Sequence, residues 1–143
     1  MLYADSSFLV SCYILDANTA TAKTYLLGTN ESIAWTLLHS LETRNALELG
    51  VFRGLLKPGD ATAAWRNLQS DLKNKRLVRS RVAWSTAFRA ATTLSKRHSS
   101  RIGTRSFDIL HIAAAKSLGL TRFVSFDQRQ RSMAALAGLQ VAP

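Results

Sequence analysis

Residues 1–10 read MLYADSSFLV. Apolar residues suited to a buried strand run into Asp5, two serines follow, and a second apolar run begins at Phe8. This order predicts a short strand over LYAD, a joint at Asp5 and Ser6, and a helix over SSFLVSCYILD, in which Phe8, Leu9, Cys12, Tyr13 and Leu15 cover a broad apolar face. An acid therefore stands where the first strand runs out.

The alternation repeats along the chain. ANTATAKTYLL reads as a helix closed by Gly28, and SIAWT has the β-branched and aromatic content of a buried strand. LLHSLETRNALELGVFRGLL places Leu38, Leu41, Ala46, Leu49 and Phe52 near helical spacing, although Gly50 and Gly54 weaken a continuous helix. KPGD is a turn in which Asp60 caps the helix ATAAWRNLQSDLKN, and the cluster KNKR ends that helix, where it complements the helix dipole or, as the alternative, contacts RNA. LVRSRV suits a strand, Ser85 caps TAFRAATTLSKRHS, and SSRIGT breaks the chain before the helix SFDILHIAAAKSL, which Gly119 terminates. TRFVSFD is a strand ending in Asp127, QRQRSMAALAG a short helix, and LQVAP a last strand. Strands alternating with helices imply a parallel sheet covered on both faces, with functional groups gathered outside the carboxyl ends of the strands. On that rule Asp5 and Asp127 converge on one rim.

Composition bounds the function. A chain of 143 residues predicts one domain, and 47% hydrophobic with 20% charged residues fits an ordinary globular protein with a core. The single cysteine, Cys12, forms no internal disulfide and sits in an apolar helix, which fits a reducing cytoplasm. No apolar run approaches the roughly 18 residues of a membrane span, and no export signal is expected. Nineteen Lys and Arg against nine Asp and Glu give a formal charge of +10, which favours a polyanionic partner such as nucleic acid. No RNA-binding signature of interleaved aromatic and basic residues is visible in the linear sequence.

Four acids carry the chemistry. Each has an ordinary explanation: Asp5 and Asp108 as helix-start residues, Glu42 as a solvated helical residue, Asp127 as the start of a turn. Their surroundings argue otherwise. Glu42 follows the strand SIAWT closely on an apolar helix, and Asp108 opens a helix whose remainder, ILHIAAA, is too apolar to face solvent. Acids meeting in a cleft would repel one another, and a hard divalent cation, Mg²⁺ or Mn²⁺, resolves that repulsion through oxygen ligands. Zinc fits less well, since no HExxH or paired-Cys pattern occurs. His111 shares the helical face of Asp108 and reads as a packing or supporting residue, because one histidine beside carboxylates is not a ligand set. Ser6, Ser7 and Ser125 flank the acids closely enough to orient them. Arg105, Arg129 and Arg131 lie nearest the rim and are candidates for contact with a phosphate backbone.

Together these stretches resemble the PIN-domain family, most closely the small VapC-type toxin ribonucleases. YADSS is similar to the family's first motif with Asp5, SLETRNAL to the helix carrying Glu42, SFDILHIAAA to the Asp-x-x-His-x-Ala-x-Ala segment with Asp108, and FVSFDQR to the last motif with Asp127. Four motifs in the family's order run through the whole chain. The resemblance implies a three-layer α/β/α sandwich with a central, mainly parallel sheet, a divalent-metal site built by the four acids, and endonucleolytic cleavage of RNA. It further implies a homodimer in a bacterial or archaeal cytoplasm, neutralised by a cognate VapB-like antitoxin whose C-terminal segment covers the active site. Ser125 departs from the threonine that many relatives carry two residues before the last acid. Two other readings stay open: a non-catalytic member of the same fold that binds RNA or protein, and an unrelated α/β phosphotransfer domain, which the lack of a GxxxxGK[ST] loop disfavours.

Overall fold

The computed structural model describes all residues, 1–143. Its elements run β1 (Tyr3–Ala4), α1 (Ser6–Tyr13), α2 (Thr19–Leu27), β2 (Ile33–Trp35), α3 (Leu37–Phe52), α4 (Pro58–Lys73), β3 (Leu77–Arg79), α5 (Trp84–Ile102), α6 (Ser106–Ser117), β4 (Arg122–Val124), α7 (Gln128–Leu136) and β5 (Gln140–Ala142). Every strand pairing is parallel, as the alternation requires: β1 with β4, β4 with β5, and β2 with β3. No helix is long and apolar enough to cross a membrane.

The chain divides into two compact units, the first made of Met1–Asp5 with Ser80–Pro143 and the second of Ser6–Arg79. In the first unit the β1-β4-β5 sheet is packed with α5, α6 and α7. Its core rests on α6, where Ile109 to Ala115 are buried without a break, the run of alanines letting neighbouring backbone approach closely. Tyr3 stacks on Phe123 across the β1–β4 pair, with ring centroids 5.8 Å apart. Gly103, at φ +72°, ends α5 in the left-handed conformation that suits glycine.

In the second unit Leu47, Ala61 and Ala64 form a buried centre flanked by Tyr13, Ile14, Val51 and Trp65. At Gly50 of α3 an added Cβ would stand 2.7 Å from the Leu56 side chain, which would have to shift to admit it.

Several local expectations are corrected. α4 starts at Pro58, suited to a first helical turn, so Asp60 caps it from the N3 position inside that turn, accepting the amide of the N-cap residue Lys57 at 3.2 Å, rather than from the N-cap itself. Ser85 likewise lies inside α5, which continues through SSRI to Ile102. β4 ends at Val124, and Asp127 caps α7. α3 turns a different face inward. Leu38 is buried as expected, but Leu41 and Phe52 are 61% and 86% exposed, while His39, Thr43, Leu47 and Gly50 are buried.

Candidate metal and nucleic-acid site

Three of the four acids belong to the first unit. Asp5 follows β1 directly, is buried, and donates its backbone N–H to the Val124 carbonyl at 2.9 Å. The parallel register Ala4↔Val124 makes β1 and β4 neighbours that end on the same side, so Asp5 and the Ser125–Asp127 segment leave the sheet together. Asp127 Oδ1 accepts the Gln130 N–H at 2.8 Å, an ordinary N-cap. Asp108 lies in the first turn of α6, where its carboxylate receives Arg105 Nε at 2.9 Å.

A buried glutamine that sequence reasoning missed joins two of these segments. The Gln130 side chain accepts Ser125 Oγ–H at Oε1, 2.7 Å, and donates from Nε2 to the Asp108 carbonyl at 3.2 Å. Ser125 Oγ in turn accepts the Asp127 N–H at 3.0 Å. Gln130 therefore ties the backbone of Asp108 to the hydroxyl and carboxylate that shape the Asp127 turn. Its only sequence signal is the spacing of three residues after Asp127, which helical capping produces anyway.

The remaining predicted residues are placed as follows. His111 is buried and hydrogen-bonded through Nδ1 to the Tyr3 hydroxyl at 2.9 Å, with the two rings edge to face. Arg129 Nη1 donates to the Gly103 carbonyl at 3.5 Å, and Arg131 Nη1 to the Ser125 carbonyl at 3.2 Å. In the second unit Glu42 lies on α3 and accepts Ser6 Oγ–H at 2.7 Å, and the Ser7 carbonyl accepts Ser11 Oγ–H at 3.2 Å. No three His, Cys, Asp or Glu side chains are gathered closely enough to ligate one ion. The donor chemistry nevertheless suits a hard cation. Asp5, Asp108 and Asp127 offer only carboxylate oxygens, and Cys12 belongs to the other unit, its thiol pushed up to about 12 by burial and then by Asp16.

These features define a class: a parallel α/β chain with acids at and beyond the carboxyl ends of neighbouring strands. The PIN domain family model matches residues 2–136, and the chain belongs to that family. Solved structures share its fold. VapC20 of Mycobacterium tuberculosis, described as a sarcin-ricin loop cleaving toxin, superposes with a TM-score of 0.70 at 19% identity over 100% of both chains. FitAcB from Neisseria gonorrhoeae gives 0.66 at 15% identity, over 100% of this chain and 97% of that one. PAE2754 from Pyrobaculum aerophilum gives 0.56 at 19% identity, over 98% and 87%. No curated protein matches the sequence.

Proposed function

We propose that the chain is a metal-dependent endoribonuclease, the toxin of a toxin–antitoxin pair, acting in the cytoplasm. One observation carries the reading: in a PIN-family chain, Asp5 and the Asp127 turn leave adjacent parallel strands side by side, and Gln130 bonds that turn to the start of the helix bearing Asp108. Asp5, Asp108 and Asp127 would hold Mg²⁺ or Mn²⁺, directly or through water, and Glu42 would complete the acidic set and orient the attacking water. Bound there, the ion would lower the pKa of that water and offset charge developing on the scissile phosphate. Ser125 holds the Asp127 amide, and Ser6 holds Glu42. Arg105, Arg129 and Arg131 would meet the RNA backbone. A VapB-like antitoxin and a second copy of the chain are the proposed protein partners, a reading supported by the fold shared with VapC20 and FitAcB.

The pairing of Asp108 with Arg105, and the lack of a three-ligand cluster, favour one competing reading: a PIN-fold protein that binds RNA without cutting it. Incubating end-labelled RNA with Mg²⁺ or Mn²⁺, with and without EDTA, separates the two. Cleavage that EDTA abolishes, and that Asp5→Asn and Asp108→Asn each reduce by at least about 100-fold in folded protein, is expected. Retention of intact RNA by the wild-type protein would leave the binder.

A further inference from the structure

Residues 72–107 contain no aspartate or glutamate, yet hold ten of the nineteen lysines and arginines. α5 lies wholly inside this stretch. Arg89 and Lys96 are exposed on the side of α5 opposite buried Ala87 and Ala91, Arg97 and Arg101 are exposed farther round the helix, and together they span roughly 18 Å at about 1.5 Å per residue. Solvated helix faces ordinarily mix both signs of charge. The basic residues also lead somewhere: the turn after α5 is bonded to the start of α7, by Arg129 Nη1 to the Gly103 carbonyl and by Thr104 Oγ1 to the Arg129 carbonyl, both at 3.5 Å.

Beside them α5 and α6 enclose an open groove of about 390 Å³. Phe88 and Phe107, distant in sequence, both line it and remain 55% and 50% exposed, and Thr92, Ser95 and Lys96 border it. Phe107 immediately precedes Asp108. Half-exposed rings flanked by hydroxyls and an ammonium group provide what an unpaired base and its phosphate need: π-faces for stacking, donors, and positive charge. A second copy of the chain fits poorly, because α5 against α5 at this groove would bring Lys96 and neighbouring Arg89 of each copy together with no acid on either helix.

We infer that the α5–α6 groove is a base-stacking subsite for single-stranded RNA, with Arg89 and Lys96 of the acid-free helix α5 meeting its backbone on the way to Asp108. The inference rests on the reading of the chain as one that binds RNA. It makes the substrate an unpaired segment, since a paired and stacked base cannot offer its faces to Phe88 and Phe107.

The test is fluorescence anisotropy with a labelled single-stranded RNA decamer and its duplex, in EDTA so that binding is read without cleavage. Phe88→Ala and Phe107→Ala are expected to weaken single-strand binding roughly 5- to 150-fold each without altering the salt slope, while Phe88→Trp keeps wild-type affinity. Arg89→Ala with Lys96→Ala should lower the slope of log K against log salt by about 1.4. Unchanged affinity in the ring variants, or equal sensitivity of the duplex, would overturn the inference. So would ring variants that dissociate a dimer in sedimentation while binding RNA normally, or that lose poly-glutamate as strongly as RNA. A wild-type protein that binds the decamer in this ring-dependent way but never cleaves it with Mg²⁺ sinks the ribonuclease reading alone.

Discussion

Gln130 is the residue on which the geometry around Asp108 and Asp127 turns. Its side-chain oxygen and nitrogen both have partners, and its backbone N–H holds the Asp127 carboxylate. Leucine would fill the same buried space but leave the Asp108 carbonyl without this donor. Gln130→Leu is expected to cost about 1–3 kcal/mol in urea unfolding. A packing defect alone stops there. A positioning role predicts in addition that calorimetric Mn²⁺ affinity falls roughly 10- to 100-fold, with Gln130→Asn failing to restore it because the shorter side chain does not reach. At the same scale Cys12 is partly buried and donates to the Phe8 carbonyl at 3.2 Å, and burial pushes its thiol up, away from the thiolate.

At the scale of elements, the α1–α2 joint and α3 hold testable stability. Asp16 accepts Ser11 Oγ–H at 2.7 Å, the Asn18 N–H at 2.8 Å and Thr19 Oγ1–H at 3.0 Å. Partial desolvation works to raise its pKa, but these hydrogen bonds outweigh it and leave the carboxyl below its ordinary 3.8. A depressed folded-state pKa contributes stability that is present above the unfolded value and is lost as pH falls through the folded one. Asp16→Asn should therefore lower Tm at pH 7, with the gap from wild type closing as the pH drops below about 4. Thr43, beside Glu42 on α3, has the opposite character: its buried Oγ1 has no hydrogen-bond partner. Thr43→Val should raise stability by about 1 kcal/mol, read as a higher urea midpoint at unchanged m. The inward face of α3 was not legible in the sequence for a related reason. His39 is buried because its Nδ1 receives the Thr36 N–H at 3.0 Å and its ring stacks on Trp35, so a polar residue occupies a core position and the leucine pattern points to the wrong face.

For the whole molecule the governing quantity is charge, +10 in all, with more than half of the basic residues confined to one acid-free stretch. RNA cleavage at subsaturating substrate should fall steeply between about 50 and 200 mM salt while the saturated rate changes little, because counterion release acts on binding. A saturated rate that falls in parallel would locate the salt effect in the chemical step instead.

The sequence by itself determined the alternation of strands and helices, the joint at Asp5–Ser6, and the four-motif likeness to the PIN family, because each is written in neighbouring residues through periodicity, capping and turn chemistry. Tertiary structure alone decided which side chains meet. Packing of helices and strands brings Tyr3 to His111, 108 positions apart, bonds Gln130 to the Asp108 carbonyl, and sets Phe88 and Phe107 in one groove. Such partnerships depend on packing between segments remote in the chain, and no local pattern of residues records them.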